Sequence, residues 1–183
     1  MRDSKIDVLH FWFEETQPQQ WFYKDPDFDA LVKKRFGAMH EMARDGLCDE
    51  WMKDEDGCLA LVIVLDQFPR HMYRNKPESF AADKKALLTA KYAISRGYDQ
   101  IMNPAKRGFL YLPFQHSEEL NEQKRSVELY AAMKDVNPTG YDYAVRHLKV
   151  IEKYGRFPHR NEILGRESTP EELEYLAQPG SGF

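Results

Sequence analysis

The sequence predicts an all-α protein made of antiparallel helical pairs stacked on one another. Apolar residues in nearly every segment recur at helical rather than strand spacing. Capping residues and prolines mark the starts of most of these segments, and glycines mark their ends. The chain has 183 residues and is predicted to form a single helical domain over residues 1–183, because a chain of this size can bury about 70% of its unfolded surface.

The first helices are bracketed by recognisable signals. Asp25 followed by Pro26 is typical of an N-cap and a first helical turn, and Gly46 is expected to stop that helix. Asp83 opens a second helix, which is expected to end at Gly97. These signals predict a long helix and then a shorter one in the first half of the chain.

The later helices are predicted in the same way. Residues 104–113 should form a short helix that ends at its final proline, and Ser117 is expected to cap the next one. Pro138 begins a helix that Gly155 stops. Residues 169–172 (Thr-Pro-Glu-Glu) have the spacing of a capping box and predict a last short helix.

Residues 59–65 are apolar on every side and rich in β-branched residues, so local propensity would allow a buried strand. We predict a helix because no other segment offers a convincing strand to pair with it. A helix that is surrounded by other helices should be apolar all round. Residues 56–68 are therefore predicted to form the most buried element of the fold.

Composition narrows the class of function. The net charge of −4 argues against a nucleic-acid-binding protein with a broad basic face. Residues 1–7 lack the apolar core of a secretion signal, and no run is long enough to span a bilayer. Cys48 and Cys58 lack the spacing of a zinc site and are predicted to be reduced, partly buried thiols. We expect a cytoplasmic protein that contacts neither membrane nor nucleic acid.

Two short stretches of the sequence resemble each other: Phe-Pro-Arg-His at residues 68–71 and Phe-Pro-His-Arg at residues 157–160. Each is predicted to be a corner that ends a helix, because proline cannot continue one, and to aim its basic side chains in a set direction. Guanidinium groups at such corners could hold a carboxylate or phosphate. They could equally bond to helix carbonyls or pair with Asp66, Glu118 and Glu119 as structural braces.

Several stretches along the whole chain, taken together, resemble the bacterial family known as Domain of Unknown Function 924. They are Leu-Asp-Gln-Phe-Pro-Arg at 65–70, Ser-Phe-Ala at 79–81 with Asp83, Tyr-Leu-Pro-Phe at 111–114, His-Ser-Glu at 116–118, Arg-Ser-Val at 125–127, Tyr-Gly-Arg-Phe-Pro-His-Arg-Asn at 154–161 and Leu-Gly-Arg-Glu-Ser-Thr at 164–169. The resemblance implies an all-α fold of the tetratricopeptide-like type, which periodicity alone does not establish because no 34-residue repeat is present. It implies no activity.

The leading hypothesis is a binding domain whose pocket lies between the corner at 68–74 and the corner at 157–161. Its partner would be a small anionic molecule bearing phosphate or carboxylate, or an acidic peptide terminus. The predicted ligand-binding residues are Arg70, Arg74, His116, Glu118, Arg156, His159, Arg160 and Asn161.

Two further hypotheses remain open. In a hydrolase-type enzyme, Asp66, His116 or His159 would exchange protons while the arginines hold the substrate. In a protein-interaction scaffold, stacked helices would bind a partner without a small-molecule site. No cofactor and no metal are expected, because the histidines and carboxylates lack a ligand spacing, and His147 is best explained as a hydrogen-bonded core residue.

Overall fold

The computed structural model describes residues 4–182, and these residues form helices and no strand. The all-α prediction is therefore confirmed, while Met1, Arg2, Asp3 and Phe183 lie outside the described residues. The α-helices are α1 (Ser4–His10), α2 (Pro26–Arg44), α3 (Glu55–Val62), α4 (Phe68–Met72), α5 (Asp83–Ser95), α6 (Pro104–Gln115), α7 (Leu120–Ala131), α8 (Pro138–Tyr154) and α9 (Pro170–Leu176).

The chain divides into two compact units. Unit 1 comprises Met1–Arg74 and Glu78–Pro113, and unit 2 comprises Asn75–Pro77 and Phe114–Phe183. The first Phe-Pro segment belongs to unit 1 and the second to unit 2. A single domain and a shared pocket stay predictions, and each unit is described by itself below.

Unit 1 is built around one long buried helical stretch. Helix α3 continues through a π-helical turn (Ile63–Gln67) into α4, and every residue from 57 to 69 is buried. The core of unit 1 therefore follows the segment at residues 59–65 that is apolar on all sides, and the prediction of a buried helix over residues 56–68 is confirmed.

The expectation that the first Phe-Pro segment ends a helix is wrong. In a regular α-helix the ring of Pro69 would clash with the carbonyl four residues earlier. Here the chain widens into the π turn, in which Phe68 N donates to Ile63 O, and then continues as α4. The Val64 carbonyl, released by this shift, accepts a hydrogen bond from His40 Nδ1 at 2.9 Å. A side chain from α2 thus compensates for the irregular turn.

Unit 2 consists mainly of α7, α8 and α9, with α7 packed along α8. Helix α8 ends at Gly155, whose φ of 69° suits glycine, and the second Phe-Pro segment follows as a 3₁₀ turn (Pro158–Arg160). Thr169 and Glu172 form the predicted capping box at the start of α9. The second segment, unlike the first, lies at the end of a long helix.

Local signals place most helix ends correctly. Asp25 caps α2 through two hydrogen bonds, and α5 is followed by Gly97 with a φ of 72°. Two expectations are wrong. Helix α6 runs through Pro113 to Gln115, and the N-cap of α7 is Glu119. The Ser117 hydroxyl accepts only from the Glu119 backbone, just before α7 begins.

Cys48 and Cys58 are buried free thiols, as the sequence predicts. Burial raises the pKa of the Cys58 thiol to about 12, so this sulfur stays protonated and unreactive near neutral pH. Over residues 4–182, no helix combines the length and apolarity that a bilayer span requires.

Candidate functional site

The arginine of the first corner is held by two acidic side chains of unit 1. Arg70 donates to both carboxylate oxygens of Asp83, at 2.8 and 3.0 Å, and to the Asp66 backbone carbonyl at 2.7 Å. Its Nη1 also lies 3.3 Å from the Asp66 carboxylate. These contacts match the interpretation of Arg70 as a brace.

Asp66 is fully buried, and its carboxylate accepts a hydrogen bond from Gln67 at 2.6 Å. Burial by itself would lower the pKa of Arg70, but the carboxylates of Asp66 and Asp83 outweigh it and raise that pKa. Asp66 is therefore buried and accepts hydrogen bonds from protein groups. A residue that exchanges protons with a substrate must be within reach of that substrate, so this setting does not suit the role.

Arg74 and His71 share one acidic partner, Asp29 of α2. Arg74 Nε and Nη2 donate to the two Asp29 oxygens at 2.7 and 2.8 Å, and His71 Nδ1 lies 2.9 Å from the same carboxylate. Burial opposes ionisation of Asp29, but the hydrogen bonds from Arg74 and His71 prevail and its pKa is lowered. The basic groups of the first corner thus tie α4 and the residues that follow it to α2.

Two of the predicted residues in the second corner also brace their unit. Arg156 donates to both oxygens of Glu172, at 2.7 and 2.8 Å, and these bonds contribute most to lowering the pKa of Glu172 to about 2. Asn161 Nδ2 donates to Glu172 and to Ser168. The turn before α9 is therefore fixed to the end of α8.

Sequence reasoning missed Arg166, which links Glu118 to the second corner. Arg166 donates to both Glu118 oxygens at 2.7 and 2.9 Å, to the Asn161 side chain at 3.0 Å and to the Phe157 carbonyl. Glu118 also accepts from Phe157 N at 2.8 Å. The signal for Arg166 was its place in the Leu-Gly-Arg-Glu-Ser-Thr stretch at 164–169.

The remaining predicted site residues of unit 2, which are His116, His159 and Arg160, lie near His147 and Phe157. We call these five residues the histidine cluster. The His147 ring lies 6.5 Å from His116 and 5.5 Å from Phe157, and Phe157 lies 5.6 Å from His159. The Arg160 guanidinium lies 4.7 Å from the Phe157 ring centroid. Phe157 is thus the apolar centre around which the basic groups gather.

Exposure differs within the histidine cluster. Arg160 is only 7% exposed and donates to the His116 carbonyl at 2.9 Å, so it has a protein partner. His116 and His159 are half-buried, whereas His147 is buried. The two half-buried histidines therefore keep part of their surface in contact with solvent, and the guanidinium does so much less.

His147 is the neutral member of the histidine cluster. Burial, followed by the positive charges of His116, His159 and Arg160, lowers its pKa to about 3. Its Nδ1 then carries the proton and donates to the Tyr143 carbonyl at 2.8 Å. The interpretation of His147 as a hydrogen-bonded core residue is confirmed.

The electrostatics of the histidine cluster favour an anion. Burial by itself would raise the pKa of Glu118. Its hydrogen bonds to Arg166 and Phe157 N outweigh burial, and the charge of Arg160 adds to them, so the pKa of Glu118 lies below its ordinary value. Glu118 is thus ionised and its charge is matched by Arg166. Arg160 and the imidazoles of His116 and His159 contribute further basic groups to the histidine cluster. Within the described part of the chain, no group of three or more His, Cys, Asp or Glu residues is arranged to hold a metal ion.

Over residues 4–182, helices without strands, two Phe-Pro segments and internal arginine–carboxylate pairs define the class of protein. It is an all-α protein braced by ion pairs within each unit. A family described as bacterial protein of unknown function (DUF924) matches residues 8–180, so the chain belongs to that family. The resemblance drawn from the sequence is confirmed.

A solved structure with a similar fold is that of a protein of unknown function from Agrobacterium tumefaciens. It is 38% identical, has a TM-score of 0.90, and the match covers 95% of this chain and 97% of that one. No curated protein matches the chain. The comparisons support the fold and assign no activity.

Proposed function

We propose that unit 2 binds a small anionic group, a carboxylate or a phosphate, at the histidine cluster. The observation that carries this proposal is the grouping of three basic residues: His159 and Arg160 lie against Phe157, and His116 lies beside His147 and accepts a hydrogen bond from Arg160 through its carbonyl. A guanidinium in a partly apolar setting attracts an anion more strongly than one in water, because the local dielectric is lower.

The contacts of the other predicted residues narrow the proposed site. Arg70, Arg74 and Arg156 each donate two hydrogen bonds to a carboxylate of their own unit. Among the predicted site residues, those of the histidine cluster are therefore best suited to bind a ligand. The enclosure of Asp66 gives a hydrolase mechanism through this residue no support. Binding, without a chemical step, is therefore the function that we propose.

Thermal unfolding with inorganic phosphate tests the proposal. A ligand that binds only the folded state stabilises it by about 2.7 kcal/mol at a hundred times its Kd, so the melting temperature of the wild type should rise with phosphate at constant ionic strength.

The matched pair of variants is Arg160→Met and Arg125→Met. Both remove one guanidinium from unit 2, but Arg125 lies on α7 and pairs with Glu128 at 48% exposure of its side chain. The phosphate-dependent rise should disappear in Arg160→Met and persist in Arg125→Met. If chloride raises the wild-type melting temperature as much as phosphate does, or if both variants respond alike, the anion site does not exist.

A further inference from the structure

A surface groove of unit 2 adjoins the histidine cluster and shares His159 with it. The groove has a volume of about 760 Å³ and lies beside α9, a size within the range of small-ligand sites. Its lining residues are Pro158, His159, Glu162, Arg166, Glu167, Ser168, Leu173 and Leu176. Because His159 lines it, an anionic group held at the histidine cluster could extend the rest of its molecule into the groove.

One wall of the groove is apolar. Leu173 and Leu176 lie three residues apart on α9 and so project from the same side of the helix, and Pro158 lies in the same groove. Leu173 is 57% exposed although it is a large apolar residue. A single exposed leucine is ordinary, but three apolar side chains in one concavity can receive an aliphatic side chain of similar size.

A hydrogen-bond donor of the groove is available to a ligand. Ser168 Oγ accepts from Asn161 Nδ2 at 3.0 Å, and no residue in the stretch 4–182 accepts the hydroxyl hydrogen itself. That hydrogen can be donated to a carboxylate oxygen beside His159. Arg166, although it lines the groove, is committed to Glu118, Asn161 and the Phe157 carbonyl, and so fixes the wall.

The rim of the groove is acidic. Glu162 and Glu167 are exposed and both line it. Two negative charges beside an anion site oppose a ligand that is only anionic, and they favour one that carries a positive charge close to its anionic group. The groove is therefore complementary to a molecule with three features: an anionic end, an aliphatic side chain and a cationic side chain.

We infer that the ligand class is a peptide carboxyl terminus with an aliphatic last residue and a basic residue before it. This inference rests on the proposed anion site. The carboxylate lies at His159 and Ser168, the aliphatic side chain lies on Pro158, Leu173 and Leu176, and the basic side chain faces Glu162 and Glu167. Each part of the peptide thus contacts side chains that match it in charge, polarity or apolar surface.

Calorimetric titration with the dipeptide acetyl-Lys-Leu tests the inference. Its amidated form lacks the carboxylate, and acetyl-Glu-Leu reverses the charge of the basic residue. Each change should weaken binding by about tenfold or more, the size expected from losing one charge-assisted hydrogen bond or ion pair. Equal binding of the acid and the amide would overturn the inference.

The variants Leu173→Ser and Leu88→Ser form a matched pair, because each leucine is 57% exposed and Leu88 lies on α5 of unit 1. Leu173→Ser should weaken acetyl-Lys-Leu binding about tenfold, and Leu88→Ser should leave it unchanged. Equal loss in both variants, or none in either, would count against the groove.

Phosphate separates the two proposals. If phosphate stabilises the wild type and acetyl-Lys-Leu does not bind, the anion site stands and the peptide inference is overturned. If neither binds, both are lost. If acetyl-Lys-Leu binds, Leu173→Ser should lose affinity for it and still respond to phosphate, because Leu173 belongs to the groove and not to the histidine cluster.

Discussion

The two Phe-Pro segments have similar compositions but different surroundings. In the first, the π turn keeps the chain helical through Pro69, and Arg70 is enclosed by the acidic groups of Asp66 and Asp83. In the second, α8 has already ended at Gly155, and Arg160 lies against the Phe157 ring with half-buried imidazoles nearby. The comparison teaches that a Phe-Pro segment with cationic residues can be a brace or a candidate site, depending on where carboxylates are available.

The largest effect is expected from Arg70→Met. The variant removes a guanidinium that pairs with the Asp66 and Asp83 carboxylates in a mostly buried setting, which should cost about 3–5 kcal/mol of unfolding free energy. Urea denaturation measures it. Arg125→Met, which breaks an exposed pair, should change stability little. If Arg70→Met loses no more unfolding free energy than Arg125→Met, Arg70 is not a structural brace.

The next effect tests the helix that carries the first corner. Ile63 is fully buried at the start of the π turn, so Ile63→Ala should cost about 2–5 kcal/mol. Chemical denaturation gives the value, and Ile6→Ala is the control because Ile6 is 60% exposed. Similar losses in the two variants would contradict the placement of residues 56–68 in the core.

An intermediate effect is expected from Glu118→Gln in unit 2. The variant removes the charge that pairs with Arg166 and should cost about 2–3 kcal/mol at pH 7. The folded-state pKa of Glu118 lies below the ordinary 4.5. Its stabilisation is therefore fully present above pH 4.5 and is lost as the pH falls through the folded-state pKa.

The difference between wild type and Glu118→Gln should accordingly shrink as the pH falls below about 4, as measured by denaturation at several pH values. Glu119→Gln, which changes the exposed neighbouring residue, is the control and should show little difference at any pH. A difference that grows on acidification would show that Glu118 is not ionised in the folded protein.

The smallest effect on stability is expected from Arg160→Met. Loss of the hydrogen bond to the His116 carbonyl should cost about 1.5 kcal/mol, while methionine preserves much of the contact with Phe157. Denaturation without phosphate measures the cost. A loss as large as that of Arg70→Met would make the second corner a brace like the first, and the contrast between them would fail.

Part of the candidate site could be predicted from the sequence. The Phe-Pro segments pointed to Arg160 and His159, and the periodicity of α8 pointed to His147 as a core residue. The sequence did not reveal Arg166, which pairs with Glu118 across 48 residues. Nor did it separate the braced arginines from Arg160, because that distinction depends on which carboxylates lie near each guanidinium in space.

Sequence reasoning is sufficient for the all-α class, most helix boundaries and the buried position of residues 56–68. These features follow from local hydrogen bonding and from the spacing of apolar residues, both of which are written along the chain. Helix packing explains why the chain stays helical through Pro69, since His40 of α2 donates a hydrogen bond to the carbonyl that the π turn releases. It also decided the partners of the arginines, because ion pairs depend on distances in space, which helix packing sets.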